Sequence, residues 1–126
     1  MQRLRKSARI LALAMSVQLV PALGITGTMV SGQVYIDTAS QVFTGALGSA
    51  LHSADNTQFI GCYTTGTSVY CQARNASGTL VNCATSNPNH IEALKAMGDD
   101  SRIYVRYDAG ACTTLIVYNY SYWESR

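Results

Sequence analysis

Four cysteines, at 62, 71, 83 and 112, constrain this chain more than any other feature, because its first 24 residues read as a leader that carries them into an oxidising compartment. A basic head over residues 1–9, with Arg3, Arg5, Lys6 and Arg9, runs into an apolar stretch over 10–20. Ala22-Leu23-Gly24 then supplies the small residues that a signal peptidase requires, and Val20-Pro21-Ala22 offers a second site. The expected organisation is a signal peptide over 1–24 and one β-rich domain over 25–126, secreted or periplasmic. The competing reading keeps residues 10–30 as a membrane anchor, but Gln18, Pro21, Gly24 and Gly27 interrupt that stretch. After cleavage no membrane association is expected, since no later run is apolar for long enough to cross.

Removing 24 of 126 residues leaves 102, enough for one modest core. It also reverses the charge. Arg74, Lys95, Arg102, Arg106 and Arg126 stand against Asp37, Asp55, Glu92, Asp99, Asp100, Asp108 and Glu124, a net charge of minus two. A nucleic-acid partner needs a concentrated basic stripe, so none is expected. Even in number, the cysteines read as two disulfides. Zinc is the alternative, but none of the intervals is the C-x-x-C of a structural site, and no metal or other cofactor is expected.

Segments 33–37, 41–44, 58–65, 68–74, 79–85, 102–107 and 112–122 are rich in Val, Ile, Thr and Tyr or alternate in polarity, and Gly, Asn, Asp or Ser bounds them. Seven short strands at this spacing predict an all-β fold: a small antiparallel β-sandwich or barrel, stapled by disulfides. Between them, Asn87 before Pro88 caps a short helix over 88–97 that buries Ile91, Leu94 and Met97, with Gly98 closing it in the left-handed conformation.

Two hairpins allow a register to be argued. A type II′ turn at Gly66-Thr67 sets Thr65 against Ser68 and Cys62 against Cys71, with Ile60, Cys62, Val69, Cys71 and Ala73 on one face. Cys62 and Cys71 then meet at a non-hydrogen-bonded pair, where a cross-strand bridge is least strained, leaving Cys83 for Cys112. The sequence leaves the two other connectivities open. A loop at Ala109-Gly110 sets Tyr107 against Cys112, Val105 against Thr114 and Ile103 against Ile116. That register puts Arg102, Tyr104, Arg106 and Leu115 on the face away from the core.

Gly45-Ala46-Leu47-Gly48, Ser53-Ala54-Asp55, Gln58-Phe59-Ile60-Gly61-Cys62, Cys71-Gln72-Ala73-Arg74-Asn75 and Cys83-Ala84-Thr85 before Pro88 resemble a group of short exported bacterial four-cysteine, β-rich proteins of unassigned function. The resemblance covers most of the segment after the leader. It implies export, paired cysteines and a β fold, and it transfers no catalytic residue. A bacterial source makes the acceptor patterns Asn75-Ala76-Ser77 and Asn119-Tyr120-Ser121 chance matches.

Catalytic signals are weak. His52 with Asp55, and Ser49 or Ser53 as nucleophile, would make a hydrolytic set, but no G-x-S-x-G elbow accompanies them. His90 falls in the first turn of the helix, and Asp99-Asp100 in a turn after it. Neither histidine has a spacing that asks for a metal. The aromatic residues Tyr118, Tyr120, Tyr122 and Trp123, together with the face of Arg102, Tyr104, Arg106 and Leu115, suit binding of an extracellular protein or glycan. The expectation is a secreted, non-catalytic structural or binding module, with no catalytic residue assigned. A small inhibitor of an extracellular enzyme, presenting the hairpin over 63–70, is the alternative, and a minor hydrolase is a third.

Overall fold

Alternation of β-branched, aromatic and small residues gives seven strands among residues 32–120, which a computed structural model describes: β1 (Tyr35–Asp37), β2 (Val42–Ala46), β3 (Phe59–Thr64), β4 (Val69–Arg74), β5 (Leu80–Thr85), β6 (Arg102–Asp108) and β7 (Ala111–Tyr118). The expected signal peptide over 1–24, and Ser121, Tyr122 and Trp123, lie outside the described residues. None of the described helices is long and apolar enough to cross a membrane.

The strands form one sheet in the order β1-β2-β6-β7-β5-β4-β3. Every neighbouring pair is antiparallel except β5 and β7, which run parallel through the single pair Ala84 and Ala111. The all-β class, the connecting helix and the disulfides are as expected, but the sheet is mixed and does not close into a barrel. The helical connection is the reason. After β5 the chain enters α2 (Pro88–Lys95), and this crossover returns it to the sheet at β6, so that β7 arrives beside β5 in the same direction.

Two polar residues join the ends of the sheet. The buried Gln58, just before β3, accepts the N–H of Val34 through Oε1 at 2.8 Å, and its Nε2 donates to Asp55 Oδ2 at 2.5 Å. Near this latch lies α1 (Leu47–Leu51), which the sequence did not announce. It has no side-chain cap, and its Gly48, Ser49 and Ala50 are buried, with Ser49 Oγ accepting the N–H of Gly32 at 3.0 Å. Packing against the strand ends, not propensity, holds so short a helix.

The core face carries Phe43, Ile60, Val69, Ala73, Ile103, Val105 and Leu115, with Ile91 and Leu94 of α2 packed over it. Both bridges form, Cys62 with Cys71 and Cys83 with Cys112. Cys62 opposes Cys71 and Cys71 opposes Cys83 in the ladder, so the four cysteines make a belt across β3, β4, β5 and β7. Gly66 alone of its turn has positive φ, as a II′ turn requires. Asn87 caps α2 as expected, its Oδ1 accepting the N–H of Asn89 at 2.9 Å. Gly98, however, is not left-handed: α2 ends at Lys95 with Ala96 as its C-cap, and the N–H of Gly98 donates to Ser101 Oγ at 2.8 Å.

The β6–β7 register departs from strict alternation. Ala109 and Gly110 both take positive φ, and the pairing starts as expected with Tyr107 opposite Cys112. A bulge then inserts Thr113, so that Arg106 opposes Thr114, Val105 opposes Leu115 and Tyr104 opposes Ile116. Cys112 must reach Cys83, and Leu115 must pack beside Val105. Residues three apart share a sheet face only if one extra residue intervenes. Leu115 is therefore a core residue, 6% exposed, and not part of the outer face.

Candidate functional site

The bulge decides what the outer face of β1, β2, β6 and β7 presents. Tyr35 opposes Thr44, Thr44 opposes Tyr104, and Tyr104 opposes Ile116, which makes one transverse row across four strands. Ile116, 38% exposed, takes the place expected for Leu115, and Tyr35 at the edge is 59% exposed. Arg102 and Arg106 stand two residues either side of Tyr104, so they flank the row. Arg102 opposes Tyr118, and its Nε donates to Thr44 Oγ1 at 3.2 Å; that hydroxyl in turn donates to the carbonyl of Ile103 at 2.8 Å. The contact fixes Arg102 over β2, whereas Arg106 is exposed. Tyr118 stacks on Tyr120, with ring centroids 6.4 Å apart. The structure thus brings Arg102, Tyr104 and Arg106 together as expected, removes Leu115, and adds Tyr35, Ile116 and Tyr118. The odd spacing between Cys112 and Leu115, two residues that both favour burial, was the available signal for the bulge.

The histidines fall elsewhere. Asp55 does not turn to His52. Its Oδ1 accepts the N–H groups of Thr57 at 2.7 Å and Gln58 at 2.9 Å and the hydroxyl of Ser53 at 3.3 Å. The Gln58 side-chain amide, then the N–H groups of Gln58 and Thr57, hold the Asp55 carboxyl down at about 2. Ser53 Oγ shares its one proton between the nearer carbonyl of Ala50, at 2.9 Å, and Asp55, and Ser49 is engaged with Gly32, so the two serines of the hydrolytic set serve local structure. His52 instead lines a hollow of about 330 Å³ with Leu47, Leu51, Ile60, Asp99 and Asp100. No local pattern announces that meeting, since His52 and Asp99 are 47 positions apart. His90 Nδ1 lies 3.1 Å from Thr85 Oγ1, a hydroxyl that also accepts the N–H of Asn87, and so belongs to the start of α2. Among the described residues no three His, Cys, Asp or Glu side chains are grouped to hold a metal ion, and all four cysteines are bonded.

No family model, curated protein or solved structure matches this chain.

Proposed function

We propose that this chain is an exported, non-catalytic binding module that captures an extracellular protein on the outer face of β1, β2, β6 and β7. The observation that carries this reading is the row of Tyr35, Tyr104 and Ile116, with the buried Thr44 as the spacer beneath it, between Arg102 and Arg106. Aromatic residues and arginine are the types enriched at protein interfaces, and a sheet presents them with no backbone left to order on binding. Two disulfides in a small β-rich domain support stability in an oxidising compartment, in keeping with the leader and with the resemblance to exported bacterial proteins.

The test is capture from the culture fluid of the source organism on the immobilised exported chain. Tyr104→Ala and Arg106→Ala should each weaken capture by about 2 kcal/mol or more, as hot-spot truncations do, while His52→Ala and His90→Ala leave it unchanged. Loss in the histidine variants alone overturns the reading and revives a hydrolase around the hollow of His52, Asp99 and Asp100. The inhibitor reading draws on a separate observation, the exposed turn at Gly66 stapled by Cys62 and Cys71. Capture of a single enzyme that is lost on Gly66→Ala and kept in Tyr104→Ala would favour it.

A further inference from the structure

The outer face of the other half of the sheet carries a second feature, and Gly61 is its centre. A glycine in the middle of a strand weakens it, and its usual reasons are a backbone conformation other residues avoid or a close approach of neighbouring atoms. Gly61 has neither: its φ is not in the left-handed range, and a Cβ built there would meet nothing within 4 Å. Gly45, by contrast, lies under Val34, and Gly66, Gly78 and Gly110 take positive φ.

The ladder around Gly61 forms three parallel lanes. Gly61 opposes Gln72, and Gln72 opposes Asn82. Phe59, Arg74 and Leu80 line one side, and Tyr63, Tyr70 and Ala84 the other. The central lane is a trench about 10 Å long, spanning two strand spacings, between walls about 13 Å apart at Phe59 and Tyr63. Its mouth is a hollow of about 250 Å³ lined by Phe59, Gly61, Tyr63, Tyr70 and Gln72. Tyr63, 60% exposed, packs on Tyr70 at 5.3 Å between ring centroids, and the guanidinium of Arg74 lies 5.1 Å over the ring of Phe59. Neither the Gln72 nor the Asn82 amide has a hydrogen-bond partner among the described residues. On the opposite face the Cys62–Cys71 bridge braces the same hairpin.

We infer that this trench is a binding site for a neutral saccharide, with one pyranose ring seated over Gly61 between Phe59 and Tyr63. The aromatic walls stack on the apolar C–H faces of the ring. The two amides offer four N–H donors and two carbonyl acceptors, the mixture that ring hydroxyls require. An aromatic peptide side chain would stack in the hollow but make no use of either amide, whereas a saccharide engages both. No carboxylate lies in the three lanes, and the one cation is spread over Phe59, so the site selects an uncharged ligand. The site lies on β3, β4 and β5, none of which belongs to the protein-docking face, and it stands without that reading.

The experiment is an NMR titration of the 15N-labelled exported chain with a panel of neutral glucose, mannose, galactose and N-acetylglucosamine oligosaccharides, and with a Trp-containing peptide. The expected result is that one oligosaccharide shifts the Gly61 amide and the Gln72 and Asn82 side-chain amides together. Gly61→Val should weaken that binding at least tenfold while leaving the thermal unfolding midpoint level or higher, because the added side chain fills empty space. Gln72→Ala, a second variant that adds no bulk, should weaken it several-fold at an unchanged midpoint. Tyr104→Ala should leave it intact, which separates this site from the protein-docking face. Failure of every saccharide to shift these amides at millimolar concentration overturns the inference, as does shifting by the peptide alone, or saccharide binding unaffected by Gly61→Val and Gln72→Ala.

Discussion

Cys83 on β5 and Cys112 on β7 are bonded across the seam where the sheet changes direction, beside the lone parallel pair Ala84 and Ala111. The other ladders carry three to seven paired positions each, so this seam has the least backbone support in the sheet. A bridge there joins the unit of β3, β4 and β5 to the unit of β1, β2, β6 and β7. The Cys62–Cys71 bridge reinforces a hairpin that six ladder pairs already hold.

The two bridges should therefore differ in worth. Their separations are 29 and 9 residues. In the chain-entropy treatment, losing the longer costs about 3.6 kcal/mol and losing the shorter about 2.6 kcal/mol. Urea unfolding of Cys83→Ala with Cys112→Ala, set beside Cys62→Ala with Cys71→Ala, should rank the first pair as the more destabilising. The gap should exceed the entropic difference, because the parallel seam loses its only covalent support.

The latch between Asp55 and Gln58 predicts a pH dependence of known sign. The Asp55 carboxyl is held at about 2 against an ordinary value of 3.8. Because the folded value is the lower one, the unfolded chain takes up protons first as pH falls. The stabilisation is full above pH 4, declines through the interval, and is gone below about pH 2. Asp55→Asn should flatten the fall in urea midpoint between pH 4 and 2. A smaller slope should persist from Asp37, which the backbone N–H and hydroxyl of Ser40 and the N–H of Ala39 also hold low. Gln58→Ala should cost about 1–3 kcal/mol at neutral pH, because the buried N–H of Val34 loses its acceptor.

Gly45 on β2 should tolerate no side chain. A Cβ there would stand 3.2 Å from Val34 Cα and 3.3 Å from Val34 Cγ2, and backbone does not yield as a flexible side chain would. Gly45→Ala should lower stability by about 1–3 kcal/mol, as overpacking does. Thermal unfolding of this variant beside Gly61→Ala, whose added methyl meets nothing, checks the contrast.

Local chemistry made much of this fold readable. The II′ turn at Gly66 fixed the β3–β4 register and with it the Cys62–Cys71 pair, and Asn87 with Pro88 marked the start of α2. Features set by distant partners were not readable. The single mixed sheet follows from where α2 returns the chain, α1 from packing of small residues, and the Asp55–Gln58–Val34 latch from contacts across 24 positions of sequence. Of the expected binding face, Arg102, Tyr104 and Arg106 were legible from alternation along β6. Leu115 was misassigned because alternation carried unbroken along β7 ignores the competing demands of Cys112 and Leu115 for the same core face.

That competition also allows the most direct test of the account, since the bulge sets both the core and the proposed binding face. Leu115→Ala and Ile116→Ala differ by one position, and each should be measured for urea stability and for capture of the extracellular partner. Leu115→Ala should lose about 2–5 kcal/mol of stability, as a core truncation does. Ile116→Ala should stay within about 0.5 kcal/mol of the parent in stability and lose capture. A stable Leu115→Ala that loses capture, beside an unstable Ile116→Ala, would contradict the register and the binding face together.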